Sequence, residues 1–171
     1  MPGRSARPAL VSWKARLLRP RLALPSAVSV RPYRDADLAV LSDLWLRASR
    51  HAHGFLGEER LRADQALLET FYFAQAETWV AEREGRQVGF VGLLEQFVGG
   101  LYVDPAAQGR GTGRALMARA QAARETLELE VYAANSRAMA FYRQAGFAEV
   151  SRRSEDDQGA AFETVCLRWQ G

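Results

Sequence analysis

Gln108-Gly109-Arg110-Gly111-Thr112-Gly113-Arg114 decides how the rest of the chain is read. An apolar run, Leu101-Tyr102-Val103, leads into the turn signal Asp104-Pro105. After the glycines comes Ala115 to Arg124, rich in strong helix formers. The order is strand, turn, glycine-rich loop, helix. Glycines let the backbone take positive φ and approach a ligand closely. The first N–H groups of a helix have no partner within it, and the dipole is positive there. Such a place binds a phosphate. A tight connection with no ligand would read the same way from this stretch alone.

Working outward, the 171 residues fit one domain, and no apolar run reaches the ~18 residues of a membrane span. One cysteine, Cys166, excludes an intramolecular disulfide, fits a reducing, cytoplasmic compartment and reads as buried and inert. Six of the 23 Lys+Arg residues precede Pro25 with no acid among them, leaving 17 against 20 Asp+Glu. The body is therefore mildly acidic, which argues against nucleic acid as a partner. Lys14 is the one lysine; the other 22 basic residues are arginine. Residues 1–27 form a basic, Pro-rich extension, expected to be disordered or weakly helical and outside the fold.

Residues 28–171 read as the folded domain. Val28 to Arg34 alternates as a strand. Asp35 or Asp37 can cap a helix in which Leu38, Leu41, Leu44, Trp45 and Ala48 recur. That helix is expected to end near Ser49, leaving His51 to Gly57 as a loop with both histidines. A second helix spans about Glu58 to Ala74, with Leu61, Leu67, Leu68 and Phe71 inward. Strands follow over Thr78–Arg83, Gln87–Leu94 and Phe97–Val103, the last interrupted by Gly99-Gly100. Paired glycines there suggest a bulge or a close approach by another backbone or a ligand. Leu127–Tyr132 is a strand, and Asn135 or Ser136 opens a helix that Gly146 closes. Phe147–Arg152 and Phe162–Trp169 are the last two strands.

In that last helix Ala138, Phe141, Tyr142 and Ala145 share a face. Gln108-x-x-Gly111-x-Gly113 followed by Asn135-x-x-Ala138-x-x-Phe141-Tyr142-x-x-x-Gly146-Phe147 resembles the GCN5-related N-acetyltransferase (GNAT) superfamily. His53-x-Phe55-Leu56 and Arg153-Ser154-Glu155-x-Asp157-x-Gly159 are similar to its bacterial YjaB-type subgroup. That subgroup includes protein-lysine acetyltransferase activity. The resemblance implies an α/β (α+β) fold: a mixed, mostly antiparallel, splayed sheet of about seven strands with about four helices. It implies acetyl-CoA as acetyl donor, a primary amine as acceptor, and a monomer or homodimer.

By the same resemblance, Leu101, Tyr102 and Val103 hold the pantetheine arm, and backbone amides of Gln108, Gly109, Arg110, Gly111, Thr112, Gly113 and Arg114 hold the pyrophosphate. Arg110 and Arg114 either add charge there or stay solvated. Ala138 and Phe141 line the cofactor groove, Asn135 fixes the cofactor or the helix, and Tyr142 is the general acid. Many relatives place a glutamate on the fourth strand, where this chain has Gly99-Gly100. Glu95 or His53 is then the candidate base, with His51 behind them; each also has a structural or solvent-facing reading. Trp45 and Phe73 read as core, Phe55 and Tyr72 as pocket lining or core. No metal site is expected. The rival functions are a catalytically weak acyl-CoA sensor and, against the acidic body, a nucleic-acid adaptor.

Overall fold

The computed structural model describes residues 27–171. The extension expected over 1–27 lies outside them except for Ala27. Among the described residues, seven strands form one sheet: β1 Ser29–Pro32, β2 Glu77–Arg83, β3 Arg86–Leu94, β4 Phe97–Val103, β5 Thr126–Tyr132, β6 Ala148–Arg153 and β7 Thr164–Gln170. Their order is β1-β2-β3-β4-β5-β7-β6. Every neighbouring pair is antiparallel except β4 and β5.

Among the described residues, four helices pack on this sheet. Helix α1 spans Leu38–His53. Helix α2 starts as Glu58–Leu67, widens into a π-helical turn at Leu68–Tyr72 and closes with Phe73–Gln75. Helix α3 is Thr112–Ala123 and α4 is Ser136–Gln144. Alternation along the strands divides the core in two. Trp79, Ala81, Val91 and Leu93 face α3 and α4 with Leu116, Met117 and Tyr142. Val80 and Phe90 face α1 and α2 with Leu41, Leu44, Trp45 and Leu68. Each such aliphatic side chain contributes about 1.5–3 kcal/mol by leaving water.

Three expectations need correcting. Helix α1 runs one turn past Ser49, to His53, because its first glycine comes only at Gly54. In α2, Leu61 and Leu68 are buried, but Leu67 and Phe71 are 60% and 65% exposed. They lie off the stripe through Leu61 and Leu68, and after the widened turn Tyr72 and Phe73 point inward instead. Cys166 is half-buried rather than buried; desolvation pushes its thiol pKa up.

The sheet's other end is fixed by a buried ion pair. Arg31 Nη1 and Nη2 each donate to an Asp37 oxygen at 2.7 Å, and Nη2 also reaches Glu82 at 2.6 Å. Asp37 is 3% exposed and also accepts from the N–H of Arg34. The Arg31 hydrogen bonds hold the Asp37 carboxyl below its ordinary range, against the upward push of burial. A depressed folded-state pKa stabilises above the unfolded value and is lost as pH falls. Asp37→Asn should cost about 3 kcal/mol in chemical denaturation at pH 7. The gap to wild type should narrow as pH falls below ~4; a pH-independent gap would mean that the charge pair contributes nothing.

Candidate active site

The site starts from a sheet defect. Strands β4 and β5 run side by side, yet among the described residues they pair only at Phe97 and Glu128, with one further bond from Glu128 N–H to the Gln96 carbonyl. From Val98 onward β4 bonds to β3 on one side and leaves its other edge unpaired. The strands open toward their C-terminal ends into a cleft of about 1090 Å³.

The glycine loop and α3 close one end of this cleft. Gly109 has φ +74° and Gly111, the residue before α3, φ +84°, conformations that glycine adopts without strain. Gln108 donates its side-chain amide to the Val103 carbonyl at 3.1 Å, tying loop to strand. Arg83 donates to the Arg110 carbonyl at 2.8 Å. Gly113 has another role: Phe141 lies 3.3 Å from where a Cβ would stand. The two sequence motifs therefore touch, ring against glycine.

Helix α4 supplies the opposite wall. Asn135 caps it, its Oδ1 accepting from Ala138 N–H at 3.0 Å. Ala138, Phe141 and Tyr142 line the cleft, while Met139 and Tyr142 reach the core. Tyr142 is 9% exposed. Burial, with a smaller contribution from Tyr102, pushes its phenol well above the ordinary value, so the proton stays on. Leu101, Tyr102, Val103, Gln108, Gly109, Gly111, Gly113, Arg114 and Asn135 also border the cleft. Arg110 and Thr112 do not; Arg110 is exposed, and Thr112 is buried with its hydroxyl unpartnered.

A family match covers residues 74–149, described as an acetyltransferase (GNAT) domain. Over 129 residues the chain is 34% identical to the peptidyl-lysine N-acetyltransferase YiaC of Escherichia coli (strain K12), covering 75% of this chain and 88% of that protein. The chain belongs to the GNAT acetyltransferase family. It is an N-acetyltransferase, and acetyl-CoA is its acetyl donor. A second relative, the peptidyl-lysine N-acetyltransferase YjaB of the same organism, is 32% identical over 145 residues, 84% of this chain and 98% of that one. The solution structure of apo-form YjaB from Escherichia coli matches at TM-score 0.76 and 30% identity, over 85% of this chain and 99% of the other.

The two candidate bases of this acetyltransferase fall in different places. Glu95 sits at φ +54° in the exposed turn between β3 and β4, its carbonyl taken by Arg124, and does not border the cleft. His53 does border it, at the end of α1. Its Nε2 lies 3.3 Å from Asn135 Nδ2. Because Asn135 Oδ1 accepts from the helix, Nδ2 is the end that faces the ring, and it donates. The imidazole is then neutral with its proton on Nδ1. Burial lowers its pKa. Tyr132 and Phe55 pack edge-on against it at 5.3 and 6.0 Å. His51 is exposed on the cleft rim.

Trp45 and Phe73 are core residues as expected, and Trp45 also reaches the cleft. Ser49 was not singled out in the sequence, yet it borders the cleft with a buried hydroxyl that has no partner. Its spacing of four from both Trp45 and His53 on α1 was the available signal. At the cleft wall, Arg60 Nη1 holds Asp156 at 2.6 Å, and Asp156 accepts the N–H groups of Gln158 and Ala160. This clamp joins α2 to the β6–β7 loop.

In an NMR titration His53 should show a midpoint below the ~6.5 of a solvated imidazole. Asn135→Asp keeps an oxygen for the cap and turns a carboxylate toward the ring, so the midpoint should rise. An unmoved midpoint would show that residues 53 and 135 do not interact.

Proposed function

We propose that this acetyltransferase moves the acetyl group of acetyl-CoA directly to the ε-amine of a protein lysine in a ternary complex. One observation carries the reading: the unpaired edge of β4, the N-terminus of α3 and the protonated phenol of Tyr142 border one cleft. Two relatives with the name peptidyl-lysine N-acetyltransferase support lysine as the acceptor. Backbone groups of Leu101 to Val103 receive the pantetheine arm as a further strand would. The pyrophosphate lies against the N–H groups from Gln108 to Arg114.

The amine attacks in its neutral form. The N–C bond forms, a backbone N–H near Val103 stabilises the developing oxyanion, and the C–S bond breaks. Tyr142 gives its proton to the departing thiolate, the nitrogen sheds its surplus proton to water, and the phenolate takes a proton back from solvent. Asn135 fixes the helix that carries Tyr142. Glu95 and His53 take no proton in this scheme: one lies on an outer turn, and the other has its basic nitrogen held by Asn135. Residues 28–171 carry the whole reaction, which takes place in the cytoplasm. No helix among the described residues is long and apolar enough to cross a membrane.

Tyr142→Phe should lower kcat for acetylation of a single-lysine peptide about 100-fold with little change in the acetyl-CoA KM. Unchanged kcat, with chemistry rate-limiting, would remove Tyr142 from the role of acid. Tight acetyl-CoA binding without turnover on peptides, polyamines or amino acids would favour the acyl-CoA sensor. For wild type, kcat/KM should climb with pH toward the ~10.4 of the lysine amine with no inflection near ~6–7. Such an inflection, absent in His53→Ala, would return the role of base to His53.

A further inference from the structure

The π-helical turn of α2 ends on Tyr72, and three irregularities converge on its ring. The turn itself is the first. The second is a bulge: Gly92 pairs with Gly100 and Leu93 with Val98, so Gly99 is left over in β4. The third is missing side chains. A Cβ on Gly99 would stand 2.7 Å from Tyr72 Oη, and one on Gly92 would overlap the same atom. Two strands are stripped of side chains where a single phenol lies across them. The close approach implied by Gly99-Gly100 is therefore made by an aromatic side chain.

The hydroxyl has a defined orientation. Tyr72 Oη donates to the Gly92 carbonyl at 3.2 Å. Its oxygen keeps lone pairs for a second bond. Tyr72, Gly99 and Tyr142 border the same cleft, and the two phenols are near enough that ionising one disfavours ionising the other. Burial keeps Tyr72 protonated, so it offers an acceptor without a fixed charge. Four other side-chain acceptors on the cleft wall are held by a partner or buried. Glu130 is held by Arg153 at 2.6 Å and Asp64 by Gln158 at 3.2 Å. The His53 Nε2 faces Asn135, and the Ser49 oxygen is fully buried.

We propose that Tyr72 Oη accepts a hydrogen bond from the incoming amine and holds its nitrogen toward the thioester, opposite Tyr142. The proposal rests on the acetyl-transfer reading above. Tyr72 neither gains nor loses a proton. The amine nitrogen bonds to the acetyl carbon, sulfur leaves with the proton of Tyr142, the amine's surplus proton passes to water, and the Tyr142 phenolate takes a proton back from water.

The test is steady-state kinetics of the full chain with acetyl-CoA and a single-lysine peptide, beside melting temperatures. Tyr72→Phe removes one hydrogen bond and should raise the amine KM about tenfold, with the acetyl-CoA KM within about twofold of wild type. Gly99→Ala keeps the hydroxyl but displaces the ring, and should show the same split. An unchanged amine KM in both variants overturns the proposal. So does a joint rise of both KM values with a lower melting temperature, which assigns Tyr72 to packing. Wild-type turnover distinguishes the two levels. If wild type acetylates no amine, the acetyl-transfer reading itself fails; if it turns over and the variants match it, Tyr72 alone is excluded.

Discussion

Two parallel strands that share a sheet but separate after one paired residue set the rest of the architecture. Phe97 and Glu128 pair, and beyond them β4 and β5 diverge. An unpaired strand edge inside a protein leaves N–H and C=O groups without partners, which is costly in an apolar setting. The edge is tolerable because it faces a cleft that a polar chain can enter. The same divergence brings the ends of β4 and β5 to opposite walls. One wall continues into the glycine loop and α3, the other into α4 with Tyr142.

The walls are not independent. Phe141 from α4 rests on Gly113 of α3, so the residue that lacks a side chain in one motif makes room for the ring of the other. Asn135 joins the start of α4 to the end of α1 through His53. Arg60 and Asp156 tie α2 to the β6–β7 loop. Helices on opposite faces of the sheet thus meet at the cleft, and distortion of one wall reaches the other through packed contacts.

Elements with strict patterning were legible in the sequence. β5 alternates along its whole length, and α4 carries a side-chain cap at Asn135 and a positive-φ glycine at Gly146. The glycine loop was readable because positive φ restricts the residue type. What was not legible depends on partners distant in the chain. Leu67 and Phe71 look like core by composition, but nothing in their spacing reveals a widened turn. The meaning of Gly99 could not be read from β4 alone, since the atom that excludes a side chain there belongs to Tyr72 on another element. Glu95 reads as a candidate base near the start of β4, whereas its positive φ puts it in a turn away from the cleft. Its distance from the cleft is a property of the hairpin and not of the local sequence.

The near absence of lysine has a chemical consequence. The ion pairs that brace this molecule, Arg31 with Asp37 and Arg60 with Asp156 among them, are built from guanidinium groups. The single lysine, Lys14, precedes the described residues. A guanidinium stays protonated at any pH the cell reaches and has no free lone pair to attack a thioester. From residue 27 onward, therefore, the scaffold contains no ε-amine that an acetyl donor could modify. Long exposure to a high concentration of acetyl donor leaves its bracing charges intact.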